Sequence, residues 1–184
     1  MMFWAHLSVL TVVIIGIGIV YLIVQAIRHG SKRIPMIVVG TGVLLFIGSF
    51  AGFFYAAPMY GGINIERSDY NTVMRAVKDG KALSKITNDT TDKQLYDGRK
   101  AGNDLRKIVQ SVPETYSNHT QRHLAIEDLS TFTENESGDY IDRQQIETLV
   151  RLSFVVISKY ATPKDEGTKG QLRVFKQMIK DSGY

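Results

Sequence analysis

Two long runs near the N-terminus contain no charged side chain, and nothing else in the chain constrains its fold as strongly. The first, Phe3 to Ile27, is interrupted only by mildly polar residues such as His6, Ser8, Thr11 and Gln25. The second, Ile34 to Ala57, is as apolar and nearly as long. At about 1.5 Å of rise per residue, either run as a helix exceeds the roughly 30 Å of a bilayer's hydrocarbon layer. A soluble amphipathic helix would show a polar stripe at helical period, and neither run has one. The pattern predicts a hairpin of two transmembrane helices, spans 3–27 and 34–57, in a multi-pass protein of the cell membrane. A cleaved signal peptide fits the first run poorly, because the basic residues that should precede its apolar core are missing and the core is too long.

Charge is distributed to match. Up to residue 65 the only charged side chains are Arg28, Lys32 and Arg33, all in the short connection between the runs, and all 18 acidic residues lie beyond it. Short Lys- and Arg-rich loops stay in the cytoplasm, so these three residues act as topology determinants and place both ends of the hairpin outside. The basic pI of about 9.2 is thus mainly a topology signal. It is not the clustered basic face of a nucleic-acid binder, and no nucleic-acid partner is expected. Trp4 at one end of the hairpin, with Tyr55 and Tyr60 at the other, would sit at the outer interface.

Glycines recur in both runs. Gly48 and Gly52 form a GxxxG pattern, in which missing side chains on one helical face let another backbone approach closely. Its partner would be the other helix of the hairpin or a second copy of the chain.

Residues 58–65, with Gly61-Gly62, read as a flexible linker leaving the membrane. Residues 66–184 are enough for one small domain outside the cytoplasm. With no cysteine, its core must come from packing alone and thiolate chemistry is absent. Apolar periodicity predicts a helix from about Asp69 with Gly80 as its stop. A second follows from Thr91, with Gln94 at capping-box spacing, to Pro113. A third is expected over Glu114 to Leu129, then a polar loop from Thr131 to Gly138. The fourth, about Tyr140 to Tyr160, is the most apolar, although Phe154 to Ile157 would also suit a buried strand. A last helix starts at Thr162-Pro163 or near Thr168. No segment alternates at period two with hairpin-turn residues, so the fold class is all-α, with a bundle of four or five helices after the transmembrane hairpin.

Chemistry-bearing motifs are sparse. His119 and His123, with Glu127 continuing their face at i, i+4 and i+8, have metal-ligand spacing. The stretch His119-Thr120-Gln121-Arg122-His123 lacks the glutamate of zinc-protease helices, and Arg122 opposes a cation, so a solvated helix face is the simpler reading. Gly167-Thr168-Lys169-Gly170 lacks the spacing of a phosphate loop. No catalytic residue, cofactor or resident metal is expected. The sequence favours a non-enzymatic, membrane-anchored interaction or accessory module whose partners are the lipid bilayer and a protein, or a second copy through the spans. An oligomeric pore-forming or holin-like protein, or a sensor or immunity-type protein binding an external ligand, are the alternatives.

Overall fold

A computed structural model describes residues 2–28, 31, 33–87, 90–134 and 142–184. Among them the chain is all-α apart from one two-stranded ladder, and it divides into two compact units, residues 1–58 and 59–184.

The first unit holds α1 (Met2–Ile27) and α2 (Arg33–Ala56), both long and apolar enough to cross a membrane. They lie side by side and antiparallel, since Ser8 meets Ser49, Ile15 meets Gly42 and Gly18 meets Val39. The described residues buried within the pair are small or polar: Thr11 and Gly18 on α1, Pro35, Gly42 and Ser49 on α2. Seven-residue spacing keeps such positions on one seam when two helices coil about each other.

The second unit opens with a hairpin. Strands β1 (Met59–Tyr60) and β2 (Ile63–Asn64) pair antiparallel around Gly61-Gly62, whose φ values of 60° and 77° suit a tight two-residue turn that side chains would strain. The segment expected to be a flexible exit is therefore ordered structure, and Tyr60, Ile63 and Ile65 are buried in the core of this unit. Tyr60 is no interfacial aromatic: its hydroxyl donates to Asp181 Oδ2 at 3.0 Å, and burial, reinforced by that carboxylate, pushes its pKa up.

Among the described residues, five helices complete the bundle, the upper end of the expected number. The first, α3 (Arg67–Leu83), runs through Gly80 instead of stopping there. Gly80 is a packing position: a Cβ would come within 2.6 Å of Phe154 Cζ, so its absence lets buried Phe154 lie against the α3 backbone. Helix α4 (Asp92–Ser111) begins with the expected capping box, Thr91 accepting from the Gln94 N–H and the Gln94 side chain accepting from the Thr91 N–H.

The third helix, α5 (His119–Glu134), starts five residues later than expected. Asn118 explains the delay. Its side chain accepts from the Thr115 N–H at 2.8 Å and donates to Pro113 O at 3.0 Å, folding residues 113–118 into a closed turn. At its other end α5 includes 131–134 of the expected polar loop; the remainder, 135–138, lies outside the described residues. Arg106 ties α4 to α5 by donating to Ser130 and Glu134.

Helix α6 (Arg143–Ala161) is capped by Asp142 and is helical through Phe154 to Ile157, which removes the strand alternative; Tyr140 lies outside the described residues. Val150, Phe154, Val156 and Ile157 are fully buried, so α6 forms the centre of the core. After Thr162-Pro163 the chain makes a short 3-10 turn, Lys164–Glu166, before α7 (Gly167–Ser182). Both expected starts thus capture part of the arrangement.

Candidate functional site

Two places in the chain carry function-bearing features. The first is the surface of the α1–α2 pair, which inverts the pattern of a soluble protein. Most of its large aliphatic side chains point outward, with Val9, Ile17, Ile37 and Leu44 each more than 60% exposed, while Thr11 and Ser49 are 1% exposed. The inward hydroxyls satisfy themselves: Ser8 and Ser49 share a hydrogen bond at 3.1 Å, Thr11 Oγ1 donates to Ser8 O and Ser49 Oγ to Phe46 O, both at 2.8 Å. Gln25 Nε2 likewise donates to Tyr21 OH.

Close approach within this pair falls at Gly18 and Gly42, where a Cβ would lie 2.8 Å from Val39 Cγ2 and 2.7 Å from Ile15 Cγ1. Gly48, by contrast, faces open space, and Gly52 is half-buried. The GxxxG face is thus not what brings α1 and α2 into contact at Gly48. Outward on α2, Phe46, Phe50 and Phe54 form a ladder, with ring centroids 6.1 and 4.9 Å apart. Of the residues expected to set topology, Arg28 and Arg33 are exposed, flanking the connection; Lys32 lies outside the described residues.

The second place is the turn into α5. His119 and His123 stand one helical turn apart on an exposed face, ring centroids 4.5 Å from each other. The carboxylate that joins them is Glu114, from the turn before the helix, and not Glu127. Glu114 Oε1 lies 2.5 Å from His119 Nδ1, and Oε2 lies 3.5 Å from His123 Nε2. One donor atom from each of the three residues falls within 4.8 Å of the others. Glu127 takes no part in such a group among the described residues. The hydrogen bond from His119, and then the charges of His119, His123 and Arg122, hold the Glu114 carboxyl below the usual carboxylate range.

Spacing along a helix hides Glu114, because it precedes the helix and sits at i−5 from His119. The available signal was Asn118, a residue suited to a turn at the entrance of a helix, which would have moved the helix start and placed Glu114 beside it.

The platform beneath this cluster is well fixed. Arg122 reaches back to the end of α4, Nε donating to Val112 O at 3.0 Å and Nη2 to Gln110 O at 2.9 Å, while Nη1 pairs with Glu114 Oε2 at 3.1 Å. Lys159 on α6 donates to Ser117 O. Asn118, 4% exposed, closes the turn itself.

No family model, curated protein or solved structure matches this chain.

Proposed function

We propose that the chain is a non-enzymatic, membrane-anchored interaction module, in which α1 and α2 cross the bilayer as a hairpin and the helical unit from Met59 is presented outside the cytoplasm. The observation that carries this reading is the inverted surface of the α1–α2 pair. Apolar side chains outward and hydrogen-bonded hydroxyls inward are stable in lipid, where every polar group must find a partner inside the protein. In water the same surface would be an exposed apolar area far larger than soluble monomers show. Orientation is supported by exposed Arg28 and Arg33 at the short connection, which the positive-inside bias keeps in the cytoplasm. Anchoring is favoured over conduction because neither helix carries an ionisable side chain along the α1–α2 seam.

Cysteine labelling in intact cells tests the arrangement on a chain that has no native cysteine. Ser31→Cys, in the connection, is expected to react only with membrane-permeant reagents. Tyr116→Cys, at a fully exposed position of the turn before α5, is expected to react with impermeant ones. Labelling of Ser31→Cys by the impermeant reagent, with Tyr116→Cys protected, would invert the topology and remove the outward-facing module. The pore-forming alternative makes a different demand, dye release from vesicles that climbs with protein per lipid.

A further inference from the structure

The turn between α4 and α5 brings together three side chains that the anchoring role does not use, and their chemistry is that of a metal site. We propose that Glu114, His119 and His123 bind one borderline transition-metal ion, of which Zn2+ is the type, through a carboxylate oxygen and two imidazole nitrogens. The proposal does not rest on the membrane reading.

Donor identity selects the ion class. Two imidazoles with one carboxylate match Zn2+, Co2+, Ni2+ or Cu2+, whereas Ca2+ and Mg2+ take nearly all their ligands as oxygen. Three protein donors leave the fourth tetrahedral position to water. At metal–ligand distances of about 2.0–2.2 Å the donors of a tetrahedral site stand roughly 3.4 Å apart. Here they already lie within 4.8 Å, with Glu114 set between the two rings. The remaining adjustment, which widens the 2.5 Å His119–Glu114 contact to make room for the ion, is a matter of rotating exposed side chains within their staggered wells, since the His119 and His123 side chains are 58% and 59% exposed.

The backbone that carries the donors needs no rearrangement. Asn118 locks the turn that holds Glu114, Arg122 ties the first turn of α5 to the carbonyls ending α4, and Lys159 fixes Ser117 O. Preorganisation of this kind lowers the ordering cost that a flexible loop would impose on binding.

Two features hold the affinity to a moderate level. Arg122 competes for Glu114 Oε2 at 3.1 Å, and the positive end of the α5 dipole lies beside His119.

The test is a titration of the untagged, full-length protein in detergent with ZnCl2 by calorimetry, repeated with CoCl2, whose visible absorption reports coordination geometry. The expected result is saturable uptake of one ion per chain. His119→Ala, His123→Ala and Glu114→Gln should each weaken it at least about tenfold, while Glu127→Gln and His6→Ala with His29→Ala leave it unchanged. Unaltered helical circular dichroism in each variant separates loss of a ligand from loss of fold. No saturable uptake below about 1 mM metal would overturn the site, since that corresponds to only about 4 kcal/mol of binding. So would wild-type affinity in the His119→Ala/His123→Ala double variant, or a loss caused by Glu127→Gln and not by Glu114→Gln.

Discussion

Asp79, on α3, is a carboxyl held at a disadvantage. Burial first, and the charge of Asp104 second, push its pKa up to about 6, with partial relief from Lys78 and Arg75. The folded protein therefore keeps this proton to a higher pH than the unfolded chain does. Where only the folded state is protonated, between about pH 4 and 6, stability falls as pH rises, and above pH 6 the cost is fully present. Asp79→Asn should relieve it, gaining about 1 kcal/mol at pH 7 and almost nothing near pH 4. A fully buried carboxyl would give more, but solvent at this half-exposed position screens the effect. Urea denaturation of the helical unit at the two pH values reads the difference. Lower stability of the variant at pH 7 would mean that the ionised carboxylate is engaged in favourable pairing.

At the scale of elements, the hairpin rests on a seam of small residues repeated every seven positions, and Gly42 is where it is tightest. Gly42→Ile places branched carbon atoms where Ile15 already sits, so the two helices must part. Ser8→Cys with Ser49→Cys supplies the readout, because the native hydroxyl oxygens are 3.1 Å apart. Disulfide formation between them is expected to fall when Gly42→Ile is added, by an association energy of about 1–2 kcal/mol, and to persist with Gly48→Ile. Equal crosslinking in all three would show that the seam is incidental.

The same elements show what a sequence discloses. The existence of both long helices and of five shorter ones was legible, because apolar periodicity and uncharged length act locally and survive any tertiary arrangement. The seam was not. Apolar residues cover every face of α1 and α2, so no periodicity marks the inner one, and Gly48-Gly52 is the conspicuous motif while Gly18 and Gly42 make the contact. Helix ends failed where a single residue overrode the pattern: Asn118 delays α5, and Gly80 continues α3 because Phe154 occupies the space a side chain would take. For the metal cluster, two of three donors were visible as a helical pair and the third was invisible to helical spacing.

For the molecule as a whole, the boundary of the folded unit matters more than any single contact. A fragment beginning at Met59 retains the β-hairpin, whereas one beginning at Ile65 lacks Tyr60 and Ile63, which are 7% and 3% exposed. Their loss opens the core and should cost about 2–4 kcal/mol, visible as a lower denaturation midpoint in urea at unchanged helicity. Equal midpoints would make the hairpin a passenger.

That hairpin is held by α7, more than a hundred residues further on. Gly61 lies against the backbone of Arg173 and Val174, where a Cβ would come within 2.9 Å, and Tyr60 bonds to Asp181, 121 residues away. The first piece of this unit to leave the ribosome accordingly waits for α7. Until α7 emerges, Tyr60 has its ring contact with Tyr70 but not its Asp181 partner, and Gly61 lacks the backbone it lies against, so the hairpin stays open to wrong partners, as transiently exposed apolar groups do in slow-assembling chains. Closure of the hairpin is for this reason tied to the synthesis of α7, and a chain cut short before Arg173 would lack both the backbone and the carboxylate that hold it.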